Sequence, residues 1–187
     1  MYKLEWKLFD DKDAYGIRTI GDGSCLFHSI FFSLYEQYQV AEFEERQRMV
    51  IEFRKTISDN LTEDIYSKLL GGALCKTDLP EFSLDNMKNE LNSKNSIGYG
   101  YIEYISNVIE KDIYILEASK ETLYVSDESK YSCLGYRPSI ILLYYEGHYE
   151  TVGIIKQGEL FTHYCHSYSL IEKLKEIQQH YEDRIKD

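Results

Sequence analysis

Apolar and polar positions alternate from the start of the chain. Tyr2, Leu4, Trp6 and Leu8 interleave with Lys3, Glu5 and Lys7, the period of a half-buried strand, so a strand or extended arm opens the molecule. A polar stretch and the segment 15–20 follow, and then Gly21-Asp22-Gly23 imposes a turn. Beyond it the period lengthens. Leu26, Phe27, Ile30, Phe31 and Leu34 recur at helical spacing within residues 25–38, predicting one helix, apolar over a wide face and central to the fold. The same spacing returns at Phe43, Val50, Phe53, Ile57 and Leu61, then in a shorter helix capped by Gly71-Gly72. Leu84, Met87 and Leu91 mark a further helix after Pro80, and Ile102, Ile105, Val108 and Ile109 another.

The character then changes. Residues 112–117 and 122–125 are short β-branched and aromatic runs. Residues 139–145, the pair Glu146-Gly147 and residues 148–155 predict a hairpin, and Lys156-Gln157-Gly158 turns the chain into a strand ending near Tyr164. Leu170, Leu174, Ile177, Tyr181 and Ile185 close it with an amphipathic helix. Helices followed by strands give an α+β class. With no repeat, low-complexity segment or linker, the 187 residues are expected to form a single domain.

Composition narrows the function classes. The formal net charge is −11, the wrong sign for neutralising phosphates, so no nucleic-acid partner is expected. The apolar run 140–145 is far shorter than the ~18 residues of a membrane span, and Lys3, Glu5 and Lys7 interrupt what would be a signal core, so no membrane association is expected either. Cys25, Cys75, Cys133 and Cys165 form no Cys-x-x-Cys pair. Reduced thiols in an intracellular, cytoplasmic setting are the expectation. The 18 tyrosines fall at predicted core positions and are read as packing.

Among the cysteines, Cys25 stands apart because a glycine-bearing loop delivers it to the first turn of an apolar helix. Free N–H groups and the helix dipole there favour a thiolate and offer an oxyanion site, whereas a packing cysteine needs no such loop. A nucleophile needs a base. His148 opens a strand after the Glu146-Gly147 turn, and alternation puts Glu150 on its face as an orienting carboxylate. His28, three residues after Cys25, is the rival base, embedded among Leu26, Phe27 and Phe31. His163, Cys165 and His166 could ligate a metal, but three ligands in four residues with no fourth donor read better as surface side chains. A cysteine phosphatase loop is excluded, since residue 31 is Phe where its arginine would stand.

The run Asp22-Gly23-Ser24-Cys25-Leu26-Phe27-His28-Ser29 resembles the nucleophile motif of the ovarian tumour (OTU) family of cysteine proteases, which are deubiquitinating enzymes of papain-like mechanism. Gly98-Tyr99-Gly100 with Ile102-Glu103 looks like the family's Trp-Gly-Gly helix start, with Tyr in place of Trp. Asp112-Ile113-Tyr114-Ile115 resembles its following core strand, and His148-Tyr149-Glu150-Thr151-Val152 its histidine motif. The likeness spans about residues 17–155, flanked by an N-terminal arm, 1–16, and a C-terminal strand and helix, 156–187. It implies a papain-like OTU fold with a small, mostly antiparallel sheet flanked by helices. It further implies Cys25 as nucleophile, His148 as general base, Glu150 where the family usually has Asp or Asn, and Asp22 shaping an oxyanion hole from the backbone of Asp22, Gly23, Ser24 and Cys25.

The implied reaction is hydrolysis after the C-terminal glycine of ubiquitin, of polyubiquitin chains or of a ubiquitin-like protein, through an acyl-thioester and without a cofactor or metal. The acidic balance suits the basic ubiquitin tail. Viruses and intracellular pathogens carry small OTU proteins, for which the setting would be the host cytosol. Two other readings stay open: a ubiquitin-binding OTU module with little turnover, and another papain-like peptidase or acyltransferase.

Overall fold

The apolar run near the end of the chain lies in the middle of a sheet. In the computed structural model, which describes residues 1–6, 13–69, 82–118, 122–126 and 137–186, eight strands pair: β1 Tyr2–Lys3, β2 Ala14–Ile17, β3 Asp112–Glu117, β4 Thr122–Val125, β5 Ser139–Tyr145, β6 His148–Lys156, β7 Glu159–Phe161 and β8 His163–Tyr164. Their order is β1-β2-β6-β5-β3-β4, with β7 on β6 and β8 on β5. Only β3 and β5 run parallel, so the sheet is mostly antiparallel.

A strand covered on both faces has no polar face to alternate with, and this explains the unbroken run Ile140-Ile141-Leu142-Leu143. Ile140 and Leu142, with Ile113 and Ile115 of β3, belong to one core, and Ile141 and Leu143, with Tyr114 and Leu116, to a second. The first core is completed by helices α1 Cys25–Leu34, α3 Phe43–Asn60, α5 Leu84–Leu91 and α6 Ile102–Ile109. The second is covered by Leu170, Ile171 and Leu174 of α7, Ser169–Lys186, and by Leu4 and Trp6 of the N-terminal arm. Each fully buried Ile or Phe here contributes roughly 1.5–3 kcal/mol. The result is the helix-flanked sheet expected for the α+β class. No helix among the described residues is long and apolar enough to cross a membrane.

One predicted element is divided. The helix expected over 25–38 ends at Tyr35, whose backbone is extended (φ −124°, ψ 110°), and a second one, α2 Glu36–Val40, begins there. In a continuous helix ten residues rise about 15 Å, which would hold Tyr38 away from His28. The break brings the Tyr38 hydroxyl to 2.5 Å from His28 Nδ1. The short helix α4, Glu63–Lys68, follows α3. Its expected cap at Gly71-Gly72, together with Leu8, Pro80, Cys75, Cys133 and the side chains of Tyr99, Tyr181 and Ile185, lies outside the described residues.

The hairpin matches expectation. Glu146 (φ 48°) and Gly147 (φ 86°) both take left-handed angles between β5 and β6, the two-residue turn whose twist suits paired strands, and Tyr145 pairs with His148.

Candidate active site

Register brings the glycine loop to His148. In the antiparallel pairing of β2 with β6, Ile17 lies opposite Thr151; continuing the register sets Thr19 opposite Tyr149, and the Thr19 hydroxyl donates to the Tyr149 carbonyl at 2.6 Å. The chain then turns at Gly21, where a β-carbon would stand 3.6 Å from Cε1 and 3.8 Å from Nδ1 of His148. Four residues on, Cys25 is the first residue of α1, with 3% of its surface exposed.

The loop has one conformation open to it. Gly23 sits at φ +85°, and a β-carbon there would fall on the carbonyl oxygen of Lys94, so only glycine fits. Asp22 folds back over the turn and accepts from the Ser24 N–H (3.0 Å), the Gln47 side-chain amide (3.1 Å) and His28 Nε2 (3.2 Å). Partial burial raises its pKa, but these hydrogen bonds and the nearby imidazole outweigh that and leave the carboxyl below its ordinary range.

This arrangement settles where His28 acts. Its ring is fully buried, Nε2 engages Asp22 and Nδ1 engages the Tyr38 hydroxyl. Burial holds it below the usual histidine pKa, with Arg46 and Arg54 in the same sense, against the pull of Asp22. A neutral imidazole with both nitrogens committed positions Asp22 and has none left to take a proton from Cys25.

The helix start is held from below by Arg54, which sequence reasoning missed. It is 1% exposed and donates to Ser24 Oγ (2.8 Å) and to the carbonyls of Leu91, Glu90 and Asn95 (2.9, 2.8 and 2.9 Å), with its guanidinium over the Phe27 ring at 4.7 Å. Burial lowers its pKa to about 10, still cationic at neutral pH. Ser24 Oγ accepts from Arg54 and makes no capping bond to α1. The first intrahelical bond is His28 N–H to Ser24 O, so the N–H groups of Cys25, Leu26 and Phe27 precede the ladder and face the helix mouth. Of the expected oxyanion donors, the Ser24 N–H already serves Asp22.

Hydroxyls also tie α1 to the sheet, directly to β6 through Thr151 and to the β7–β8 link through Thr162, with two further bonds inside the helix. Thr151 Oγ1 donates to Ser29 O (2.8 Å), Ser29 Oγ to Cys25 O (2.8 Å), Ser33 Oγ to Ser29 O (2.8 Å) and Thr162 Oγ1 to Ser33 O (2.8 Å). The helix bearing Cys25 is thus fixed to the strand bearing His148.

Glu150 departs from expectation. It shares a strand face with His148, yet its carboxylate accepts the hydroxyl of Tyr2. The Tyr2 ring lies against Gly16, where any β-carbon would strike it, with the Arg18 guanidinium 5.9 Å from its centroid. Among the described residues, no hydrogen bond joins His148 to Glu150 or to Cys25. The side-chain partner of His148 is Thr19, 3.5 Å from Nε2. The downstream trio does not converge either: His163 and Cys165 are exposed, and no group of three or more His, Cys, Asp or Glu among the described residues is placed to hold a metal ion.

The buried cysteine at the start of α1 thus follows a glycine loop whose first residue packs on the ring of a strand histidine. The sequence pattern of the OTU-like cysteine protease family matches residues 20–153, and the chain belongs to that family. Two solved structures share its fold. One is an ovarian tumour (OTU) domain solved in complex with ubiquitin, at a TM-score of 0.59 and 17% identity, with 88% of this chain and 81% of that chain covered. The other is the viral OTU domain protease from Taggert virus, at 0.52 and 18% identity, with 80% and 83% covered. No curated protein matches the chain by sequence.

Proposed function

We propose that the chain, acting as one catalytic unit over residues 1–187, is a cysteine-dependent deubiquitinase that cleaves after the C-terminal glycine of ubiquitin or a ubiquitin-like protein. The observation that carries this reading is the placement of Gly21 against the His148 ring at one end of a loop whose other end is Cys25. The OTU domain solved with ubiquitin supports the choice of substrate.

His148 takes the Cys25 proton, and the thiolate attacks the glycine carbonyl. The developing oxyanion is held by the Cys25 N–H at the mouth of α1. Collapse expels the lysine amine, which takes the proton from His148, and water then hydrolyses the thioester by the same route. In this scheme Asp22, His28 and Arg54 position the loop and touch no substrate.

A ubiquitin probe bearing a C-terminal electrophile tests it. Wild type is expected to gain the mass of one ubiquitin, and Cys25→Ala to gain none. His148→Ala is expected to lose turnover while still binding ubiquitin. Labelling that survives Cys25→Ala, for instance on exposed Cys165, would overturn the nucleophile assignment. A binding module with little turnover is the second reading, favoured by the engagement of Glu150 with Tyr2; it predicts ubiquitin binding without labelling.

A further inference from the structure

We propose that Thr19, rather than Glu150, is the positioning residue that orients His148, by holding its imidazole as the Nε2–H tautomer with Nδ1 turned to the Cys25 loop. This rests on the reading of Cys25 and His148 given above, but its geometry is independent of substrate.

The argument is one of hydrogen-bond direction. A threonine hydroxyl has a single proton. Thr19 has two acceptors to choose from, the Tyr149 carbonyl at 2.6 Å and His148 Nε2 at 3.5 Å, and the short, strong bond to the carbonyl takes the proton. Thr19 Oγ1 can then meet Nε2 only as an acceptor, so Nε2 must carry hydrogen. Ser29 Oγ, 3.4 Å from Thr19 Oγ1, does not compete, because its proton goes to Cys25 O at 2.8 Å. With Nε2 protonated, a neutral ring leaves its lone pair on Nδ1, the nitrogen near the Gly21 turn. That is the atom a general base needs free. The 3.5 Å separation is long, as such contacts are before substrate closes the site.

Glu150 is engaged by Tyr2, and Asp22 by Ser24, Gln47 and His28. No carboxylate among the described residues bonds His148, and the threonine supplies orientation without charge. Thr19 is held in turn by backbone: it follows the β2–β6 pairing that ends at Ile17 and Thr151, and its hydroxyl is fixed by the 2.6 Å bond to Tyr149 O.

The test reads the tautomer directly. Long-range nitrogen–proton NMR of the wild-type ring at mildly alkaline pH, with His148 assigned by its loss in His148→Gln, is expected to show Nε2 protonated and Nδ1 bare. Thr19→Ser should keep that pattern and most of kcat. Thr19→Val, similar in volume, should mix the tautomers and lower kcat on the order of ten- to a hundredfold with KM little changed. An Nδ1–H tautomer in wild type overturns the proposal with no variant needed, as does an unmoved kcat in Thr19→Val or a larger loss in Glu150→Gln than in Thr19→Val. Failure of the ubiquitin probe to label Cys25 would instead remove the deubiquitinase reading and leave the tautomer result standing.

Discussion

Gly23 and Gly147 both take positive φ, at 85° and 86°, but only Gly23 has another chain segment against it: a β-carbon there would meet Lys94 O, whereas at Gly147 it would meet nothing within 4 Å. Alanine at Gly147 therefore carries only the left-handed backbone cost, about 1–2 kcal/mol. At Gly23 the loop must also move off Lys94, so Gly23→Ala is expected to destabilise more than Gly147→Ala in denaturant titrations and to lose activity first. Arg54 offers a second contrast. Its four acceptors diverge, and removing the donors strips the partner from Leu91 O and Ser24 Oγ, both on buried residues, at about 1–3 kcal/mol each, while Glu90 O keeps Ser93. Arg54→Met should cost several kcal/mol in the same titration. Arg54→Lys should recover little of it, since one ammonium cannot reproduce a planar fork. Arg54 had a sequence signal, as a charge at the apolar spacing of Val50, Ile57 and Leu61. Thr19, Tyr38 and Gln47 had none, because each enters the site through a partner distant along the chain.

At the scale of elements, α1 and β6 are held by hydroxyls as well as by apolar packing. Thr151→Val removes the donor to Ser29 O while keeping the shape, and because Ser29 O still accepts from Ser33 Oγ it is expected to cost roughly 0.5–1.5 kcal/mol; an unchanged unfolding midpoint would show that this stitch is dispensable. These elements were largely legible. The period change at residue 25 marked α1, and Glu146-Gly147 marked the turn that presents His148. The division at Tyr35 was not, since the apolar spacing runs on through it and the break appears only in its extended backbone, with Tyr38 beyond it on His28. Glu150 followed strand alternation correctly, but alternation fixes only a face; Tyr2, from the other end of the chain, decided its partner.

For the whole molecule, acid is the sensitive direction. Burial, joined by Arg46 and Arg54, holds His28 below 6.5, so the unfolded chain takes up a proton that the folded one refuses. That contribution is complete above about 6.5 and declines as pH falls towards the folded-state value. Partial burial raises Asp22, but its hydrogen bonds leave it below 3.8, so its contribution is lost only in stronger acid, below that value. Stability measured by denaturant should fall in two stages on acidification, and His28→Gln should flatten the upper one. A rise in wild-type stability between neutrality and about pH 5 would contradict this. The net charge of −11 adds a kinetic expectation: kcat/KM on a ubiquitin substrate should fall as salt screens the approach of its basic tail.

The pairing of Ile17 with Thr151 also governs when a newly made chain can become an enzyme. A ribosome that has released Cys25 and the whole helical half has produced a thiol with no base, because His148 and the strand that docks beside Gly21 are still to be translated. Ribosome-bound chains stopped before residue 148 should therefore be inert toward the ubiquitin probe however much helix they contain. Closing so long a loop is also a late and slow step in folding, so the proposed activity is expected all at once, only after the second half of the chain has emerged.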